Sequence, residues 1–157
     1  MTVPCVEIIT VVSERGSGEM YALLCDTERF AQFTESIESL HVERADAATA
    51  ISTWRVRFRS GVLQWTEADV YDRERLTIAF DQLDGDFASF HGCWSVEPLP
   101  QGCRVRFTAT FDFGMPTLAP MVDPIAEVAL RESIGEIVAG LAAAAATALD
   151  EGSAVAG

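Results

Sequence analysis

The feature of this sequence that most constrains its fold is a change of hydrophobic period along the chain. From Ser39 to Phe113, apolar and polar residues alternate with a period of two, and turn signals such as Asp84-Gly85 separate the segments, which predicts consecutive antiparallel strands. From Ile125 to about Leu149 a helical pattern continues without a breaker, and Asp123 and Pro124 have the residue types of an N-cap and a first helical position. The chain therefore predicts a curved antiparallel sheet that holds one long C-terminal helix.

The residues before this region add one strand and two short helices to the prediction. Val6 to Val12 is apolar and β-branched, as in a strand. Glu19 to Cys25 and Glu28 to Phe33 each show a short helical pattern. A length of 157 residues suits a single domain, which we assign to residues 1–150, and the low-complexity residues 151–157 are interpreted as a disordered tail. The predicted fold class is α+β.

The turns also predict how the strands pair, and four successive hairpins agree on one apolar face. The predicted opposite pairs are Phe58 with Leu63, Tyr71 with Leu76, Phe80 with Phe90, and Phe90 with Phe111. The opposite, wet face carries Arg55, Arg57, Arg59, Arg104 and Arg106. Such alternation is what a sheet with one buried side requires.

Charge and composition exclude several classes of function. The net charge is −13 and all eleven cationic residues are arginines, so phosphate backbones and anionic lipid surfaces would be repelled. The sequence contains no lysine for a Schiff base and no glycine-rich nucleotide or nucleophile motif. The few metal-ligand types are unpatterned, so we expect no metal and no cofactor. They are Cys5, Cys25, Cys93, Cys103, His41 and His91. Unpatterned thiols and the lack of a leader or membrane span lead us to expect a cytoplasmic protein.

Two carboxylates on the predicted inner face are the most informative polar residues. Glu67 and Asp69 lie two residues apart on one strand, among residues that are otherwise apolar except for Ser52 and Gln82. Burying an unpaired carboxylate is costly or forces it to take up a proton, so such groups in a cavity are often acids or bases. The alternative is that the sheet opens near Asp69 and both carboxylates are hydrated. Gln82 is a candidate hydrogen-bond donor to a carbonyl.

The aromatic residues of the same face predict a ligand-binding wall, although several of them would also serve as ordinary core. They are Trp54, Trp65, Phe80, Phe90, Trp94, Phe107 and Phe111. His91 is a further ligand-binding candidate, although it falls on the outer face in the predicted register and only a bulge at Gly92 would bring it inside. Glu136 stands one turn from Glu132 on the long helix, where a solvated acidic stripe is the alternative to a site.

The order of elements resembles the START-related helix-grip (START/Bet v 1-like, SRPBCC) superfamily, over about residues 5 to 145. Four segments are similar to the polyketide cyclase/aromatase and dehydrase family within it. These are Glu28-Arg29-Phe30-Ala31-Gln32-Phe33, Trp65-Thr66-Glu67, Phe90-His91-Gly92-Cys93-Trp94 and Asp112-Phe113-Gly114. The resemblance implies about seven strands wrapped around the helix and an apolar cavity.

The same resemblance implies a substrate and a set of roles. The family binds a poly-β-ketone chain, commonly tethered to an acyl carrier protein, and directs aldol cyclisation and loss of water. Aromatizing members place a ketone-polarising arginine on the strand after Trp65, where this chain has Asp69. A later-strand histidine of some members falls at Phe111, and a helix carboxylate falls at Glu136. Two of these three roles are therefore not reproduced.

The leading hypothesis is a polyketide cyclase or dehydratase, a lyase-type enzyme, with Glu67 and Asp69 as general acid/base candidates. The rival is a carrier of a lipid or quinone, as in the coenzyme Q-binding branch, for which the cavity suffices. A third class, a protein-interaction module of the ribosome-associated toxin type, is disfavoured by the acidic charge. The expected partner is a hydrophobic small molecule, presented on a carrier protein if the enzyme hypothesis holds, and neither nucleic acid nor membrane.

Overall fold

The structure, a computed structural model, describes residues 4–58 and 61–156, with side chains described as far as residue 144. Its elements follow the predicted order of one strand, two short helices, six strands and a long helix. They are β1 (Cys5–Ser13), α1 (Ser17–Cys25), a 3₁₀ helix (Thr27–Gln32), β2 (Ile37–Arg44), β3 (Thr49–Phe58), β4 (Gly61–Asp72), β5 (Thr77–Gly85), β6 (Ser89–Leu99), β7 (Gly102–Asp112) and α2 (Ala119–Ala156).

In the described part of the chain, the strands form one seven-stranded sheet in the order β1-β7-β6-β5-β4-β3-β2. Every neighbouring pair is antiparallel. Strands β2 to β7 form a meander, because short turns join antiparallel neighbours. Strand β1 pairs with β7 and completes the sheet. The predicted helix-grip architecture is confirmed.

The predicted faces are correct, but three of the four predicted registers are wrong by two residues. Leu63 lies opposite Val56 rather than Phe58, and Tyr71 lies opposite Ile78. Phe80 lies opposite Gly92. The last hairpin is confirmed as predicted, with Phe90 opposite Phe111 and Trp94 opposite Phe107. A shift of two residues leaves every side chain on its face, because side chains alternate with a period of two.

A β-bulge in the β4–β5 pair, which the sequence did not predict, positions the wall of the sheet. The register shifts between Thr66 and Glu67, so Trp65 pairs with Gly85 while Glu67 pairs with Gln82. A Cβ atom at Gly85 would lie 2.5 Å from both Cα and Cβ of Trp65. Only glycine allows this close approach, which holds the Trp65 backbone against the end of β5.

Helix α2 begins earlier than predicted. It starts at Ala119, and the amide of Ala119 donates to the carbonyl of Met115 at 3.0 Å. Pro120 therefore occupies the first turn, where its missing N–H costs nothing, and Pro124 lies inside the helix rather than at its first position. The prediction of Asp123 as the N-cap is wrong because two prolines four residues apart both suit a helix start.

The first half of α2 is also less buried than its apolar composition led us to expect. From residue 119 to residue 133 every residue is exposed or half-buried. Burial begins at Ile134 and continues through Ile137, Val138 and Leu141. Residues 134–141 thus anchor the helix in the core, while the lining of a cavity is drawn from residues 126–137.

Two predicted segments lie partly or wholly outside the described residues. Arg59 and Ser60, placed in the first hairpin, lie outside the described residues. The assignment of 151–157 as a tail separate from the domain stays a prediction, since no side chain beyond residue 144 is described. Within the described residues, no helix combines the length and the apolar character needed to cross a membrane.

Candidate functional site

A cavity of about 640 Å³ lies between the inner face of the sheet and the first half of α2. The 3₁₀ helix and the segment that joins it to β2 close one side. Exposed residues of this lining, among them Gln32, Glu35 and Glu132, mark the mouth. A volume of this size holds a ligand of several rings or a long acyl chain.

The wall of the cavity is aromatic and ordered. The rings of Trp54 and Trp65 stack with centroids 5.6 Å apart and planes 6° from parallel, and Phe80 stacks on Phe107 at 5.6 Å. All seven aromatic residues predicted for this wall line the cavity: Trp54, Trp65, Phe80, Phe90, Trp94, Phe107 and Phe111. The sequence interpretation did not assign four further phenylalanines of the lining to the site, which follow the 3₁₀ helix, end β3 or follow β5 and β7: Phe33, Phe58, Phe87 and Phe113. Of these, Phe58 was placed on the inner face but not at the site.

Glu67 is a buried carboxyl that lines this aromatic cavity, with only 4% of its surface exposed. It lies on β4 two residues after Trp65, so both side chains point to the same side of the strand. The indole Nε1 of Trp65 donates a hydrogen bond of 2.8 Å to its Oε1. Glu67 is therefore fixed in orientation by a member of the same wall.

Asp69 lies behind Glu67 and does not line the cavity. It is 3% exposed, and its Oδ2 accepts a hydrogen bond of 2.5 Å from Oγ of Ser52, which is completely buried. Ser52 in turn accepts a hydrogen bond of 2.9 Å from Nε1 of Trp54. Because Ser52 has one proton and gives it to Asp69, this side of the network is fully satisfied.

Burial raises the pKa of Glu67 well above its usual value of 4.5, and a hydrogen bond with Asp69 and the negative charge of Asp69 raise it further. The Trp65 indole and Ser52 act in the opposite direction and only partly offset these effects. Two carboxylates in a dry site cannot both ionise at little cost, so the pair retains one proton. The alternative in which the sheet opens and hydrates both acids is wrong.

A second polar group lies on the α2 side of the cavity. Oγ1 of Thr34 donates to Oε1 of Glu136 at 3.2 Å, and Oγ of Ser36 lies 2.9 Å from Thr34 Oγ1 and 2.8 Å from Oγ of Ser133. All four residues line the cavity. Thr34 is buried, whereas Glu136 is exposed at the mouth. Glu136 thus shares the cavity with Glu67, but it belongs to a separate hydrogen-bonded group.

Comparison with known families agrees with this geometry. Residues 17–137 match the model of the family described as polyketide cyclase/dehydrase and lipid transport. The chain belongs to this family. No curated protein matches the sequence significantly.

Solved structures share the fold of this polyketide cyclase/dehydrase family member. A protein called TTHA0849 from Thermus thermophilus has a TM-score of 0.82 at 24% identity, with 92% of this chain and 99% of that chain covered. The Zhui aromatase/cyclase from Streptomyces sp. R1128 has a TM-score of 0.78 at 15% identity, covering 89% and 94%. A START superfamily protein from Mycobacterium smegmatis has a TM-score of 0.72 at 18% identity, covering 87% and 94%.

Two residues predicted for the site of this family member lie elsewhere. His91 is exposed on the outer face and is not part of the lining, because no bulge occurs at Gly92. Gln82 is half-buried outside the lining, and its Nε2 donates to the carbonyl of Phe87 at 3.0 Å. Its amide N–H therefore holds a loop, which contradicts the prediction that Gln82 contacts a ligand carbonyl.

One cation belongs to the described lining of the cavity, although the sequence interpretation expected none. Arg57 stands at the mouth with 59% of its side chain exposed. Its Nη1 donates to the carbonyl of Glu35 at 2.8 Å, and its Nε lies 3.8 Å from a carboxylate oxygen of Glu38. The guanidinium is thus held at the exposed rim of the cavity, whereas Glu67 and Asp69 are buried.

Among the described residues, no group of His, Cys, Asp or Glu could hold a metal ion.

Proposed function

We propose that this protein is a cyclase or dehydratase that folds an apolar poly-ketone chain in its cavity and moves protons with Glu67. One observation carries the proposal: a buried carboxyl with a raised pKa lies in the aromatic wall of the cavity. A group that holds a proton at neutral pH, yet can lose it to a substrate, is suited to general acid/base chemistry. Membership of the polyketide cyclase/dehydrase family supports the same reaction class.

A protonated Glu67 implies an order of proton transfers. Protonated Glu67 donates a hydrogen bond to a substrate ketone and gives its proton to the ketone oxygen as the enol form of the nucleophilic carbon makes the new carbon–carbon bond. The resulting Glu67 carboxylate then takes the proton that the enol oxygen releases, which restores the acid. In a dehydration, the same acid protonates the departing hydroxyl, which leaves as water, and the Glu67 carboxylate takes the proton of the adjacent carbon.

Asp69 acts in this proposal as a positioning residue rather than as a second acid. It does not line the cavity, and the hydrogen bond from Ser52 holds its carboxylate in place. Its negative charge favours the protonated form of Glu67. Asp69 and Glu136 were both predicted as further catalytic groups. In this proposal Asp69 instead supports Glu67, and Glu136 lies at the mouth, away from the reacting atoms.

The test uses a poly-β-ketone chain formed in situ on an acyl carrier protein, with products separated and identified by mass. We expect Glu67→Gln to abolish formation of cyclised or dehydrated product, because glutamine cannot exchange a proton. Asp69→Asn should slow the reaction and move its pH profile, and Asp69→Arg should change the product spectrum or abolish turnover. The matched control is Glu127→Gln, which neutralises an exposed acid of α2 that is paired with Arg131.

Wild-type rates and products from Glu67→Gln would contradict the acid/base role. That result would favour the second candidate function, a carrier of an apolar lipid or quinone. Its support is the cavity itself and the family description, which includes lipid transport. A carrier would bind and release its ligand unchanged in mass, with the same affinity in wild type and in Glu67→Gln.

A further inference from the structure

The hydroxyl groups on the α2 side of the cavity have only one consistent arrangement of protons. A carboxylate accepts and does not donate, so the single proton of Thr34 goes to Glu136. The contact between Thr34 and Ser36 then requires Ser36 to donate, and the contact between Ser36 and Ser133 requires Ser133 to donate. The chain runs from Ser133 through Ser36 and Thr34 to Glu136, and each hydroxyl proton is used inside it.

This hydroxyl chain consequently offers a ligand only acceptors. The remaining positions are lone pairs on Oγ of Ser36, on Oγ of Ser133 and on the carboxylate of Glu136, and all three residues line the cavity. A ligand carbonyl or ether oxygen placed there would meet lone pairs without a donor. A ligand hydroxyl would complete a hydrogen bond to a charged acceptor, which is among the stronger types.

The charges around the mouth oppose anionic ligands as well. Glu35, Glu132 and Glu136 stand among the lining residues of the mouth together with Arg57. Nη1 of Arg57 already donates to the Glu35 carbonyl, and its Nε lies 3.8 Å from a carboxylate oxygen of Glu38. The three carboxylates of the mouth outnumber this single guanidinium, so a ligand carboxylate or sulfate at this end would meet an excess of negative charge, in a protein whose net charge is −13.

We propose that the hydroxyl chain of Thr34, Ser36 and Ser133 with Glu136 is a subsite for a phenolic or enolic hydroxyl at the mouth end of a neutral polycyclic or poly-ketone ligand. The proposal rests on the proposed function, in that it names the end of the substrate that lies away from Glu67. It assigns the two polar groups of the cavity to different parts of one ligand. Ketone oxygens face Glu67, and hydroxyl groups face the mouth.

A set of three steroid probes tests this assignment without turnover. Estrone is a neutral tetracyclic ketone with a phenol at its far end, its 3-methyl ether lacks the donor, and its 3-sulfate replaces the donor with an anion. Binding is measured by quenching of the tryptophans that line the cavity. We expect estrone to bind about ten- to a hundredfold more tightly than the methyl ether, the range of one net hydrogen bond to a charged acceptor. The sulfate should bind more weakly than both.

The variant Glu136→Gln replaces the charged acceptor by an amide at an exposed position, where a folding defect is not expected. It should lower the estrone-to-ether ratio about tenfold, because a hydrogen bond to a neutral amide is weaker than one to a carboxylate, while Glu127→Gln retains the wild-type ratio. Equal affinity for estrone and its ether, or a full preference in Glu136→Gln, overturns the subsite and leaves the Glu67 chemistry standing. Absence of estrone binding also overturns it, and the turnover of Glu67→Gln then decides separately whether the proposed function holds.

Discussion

Replacing Glu67 by glutamine should stabilise the protein, and the gain should increase with pH. Glutamine retains the shape of the side chain and both contacts, since its amide can donate to Asp69 while its carbonyl accepts from Trp65. The substitution removes the free-energy cost of ionising a buried acid or of keeping it protonated. Replacing a buried charged group by an uncharged one often leaves stability unchanged or increases it for this reason.

The direction and the magnitude of this stability change follow from the linkage between folding and protonation of Glu67. The pKa of Glu67 is raised in the folded state, so between its unfolded value, about 4.3, and its folded value the native protein binds more protons than the unfolded chain. Wild-type stability is therefore lost as pH rises through this window, by up to about 1.4 kcal/mol per pH unit. Glu67→Gln does not carry this loss.

Urea unfolding at pH 5, 6, 7 and 8 measures the effect as the difference between variant and wild type, which cancels the titration of the other acids. We expect the difference to be smallest at pH 5, to grow by about 1 kcal/mol or more per unit and to level off above the folded pKa. Glu127→Gln corrects for the general effect of removing one charge from an acidic protein. A difference that stays constant with pH, or a variant less stable at pH 8, would refute the reasoning.

Two other predictions test the packing around the cavity. On α2, Gly135→Ala should raise the free energy of unfolding by up to about 1 kcal/mol, because the added Cβ meets no atom within 4 Å. Gly140→Ala should lower it, because its Cβ collides with the ring and Cβ of Phe33. Urea unfolding of both variants measures the two effects, and equal effects would contradict the helix placement. Trp65 and Trp94, 8% and 6% exposed, should show blue-shifted fluorescence that iodide quenches poorly, and ready quenching of both would contradict the assignment of faces.

The parity of the strands could be predicted from the sequence, whereas the exact partners could not. Alternation fixes which side chains face inward, and the position of a turn fixes the partner. The first loop lies one residue earlier than predicted, between Phe58 and Gly61, and this moves every pair of β3 and β4 by two. Because the parity is unchanged, Trp54, Trp65 and Glu67 reached the correct face despite the wrong register.

The candidate site was predictable to the extent that it depends on strand periodicity. Glu67 and the aromatic wall follow from it, but the depth of a residue below the cavity surface does not. Asp69 shares a face with Glu67 yet lies behind it, and the partner that orients it is Ser52 on the neighbouring strand. The hydroxyl chain could not be predicted, because it joins a loop residue, Thr34, to a helix more than 100 residues away, through contacts that no local pattern encodes.

The central claim is that Glu67 carries a proton at neutral pH while it faces the cavity. Carbon-13 NMR of the glutamate carboxyl carbons tests it directly, with Glu67→Gln used to assign the resonance by its disappearance. We predict that the Glu67 carbon keeps the chemical shift of a protonated carboxyl at pH values where the exposed glutamates have already ionised, and that it titrates well above the usual value of 4.5. A Glu67 resonance that is already ionised at pH 5 would contradict the account.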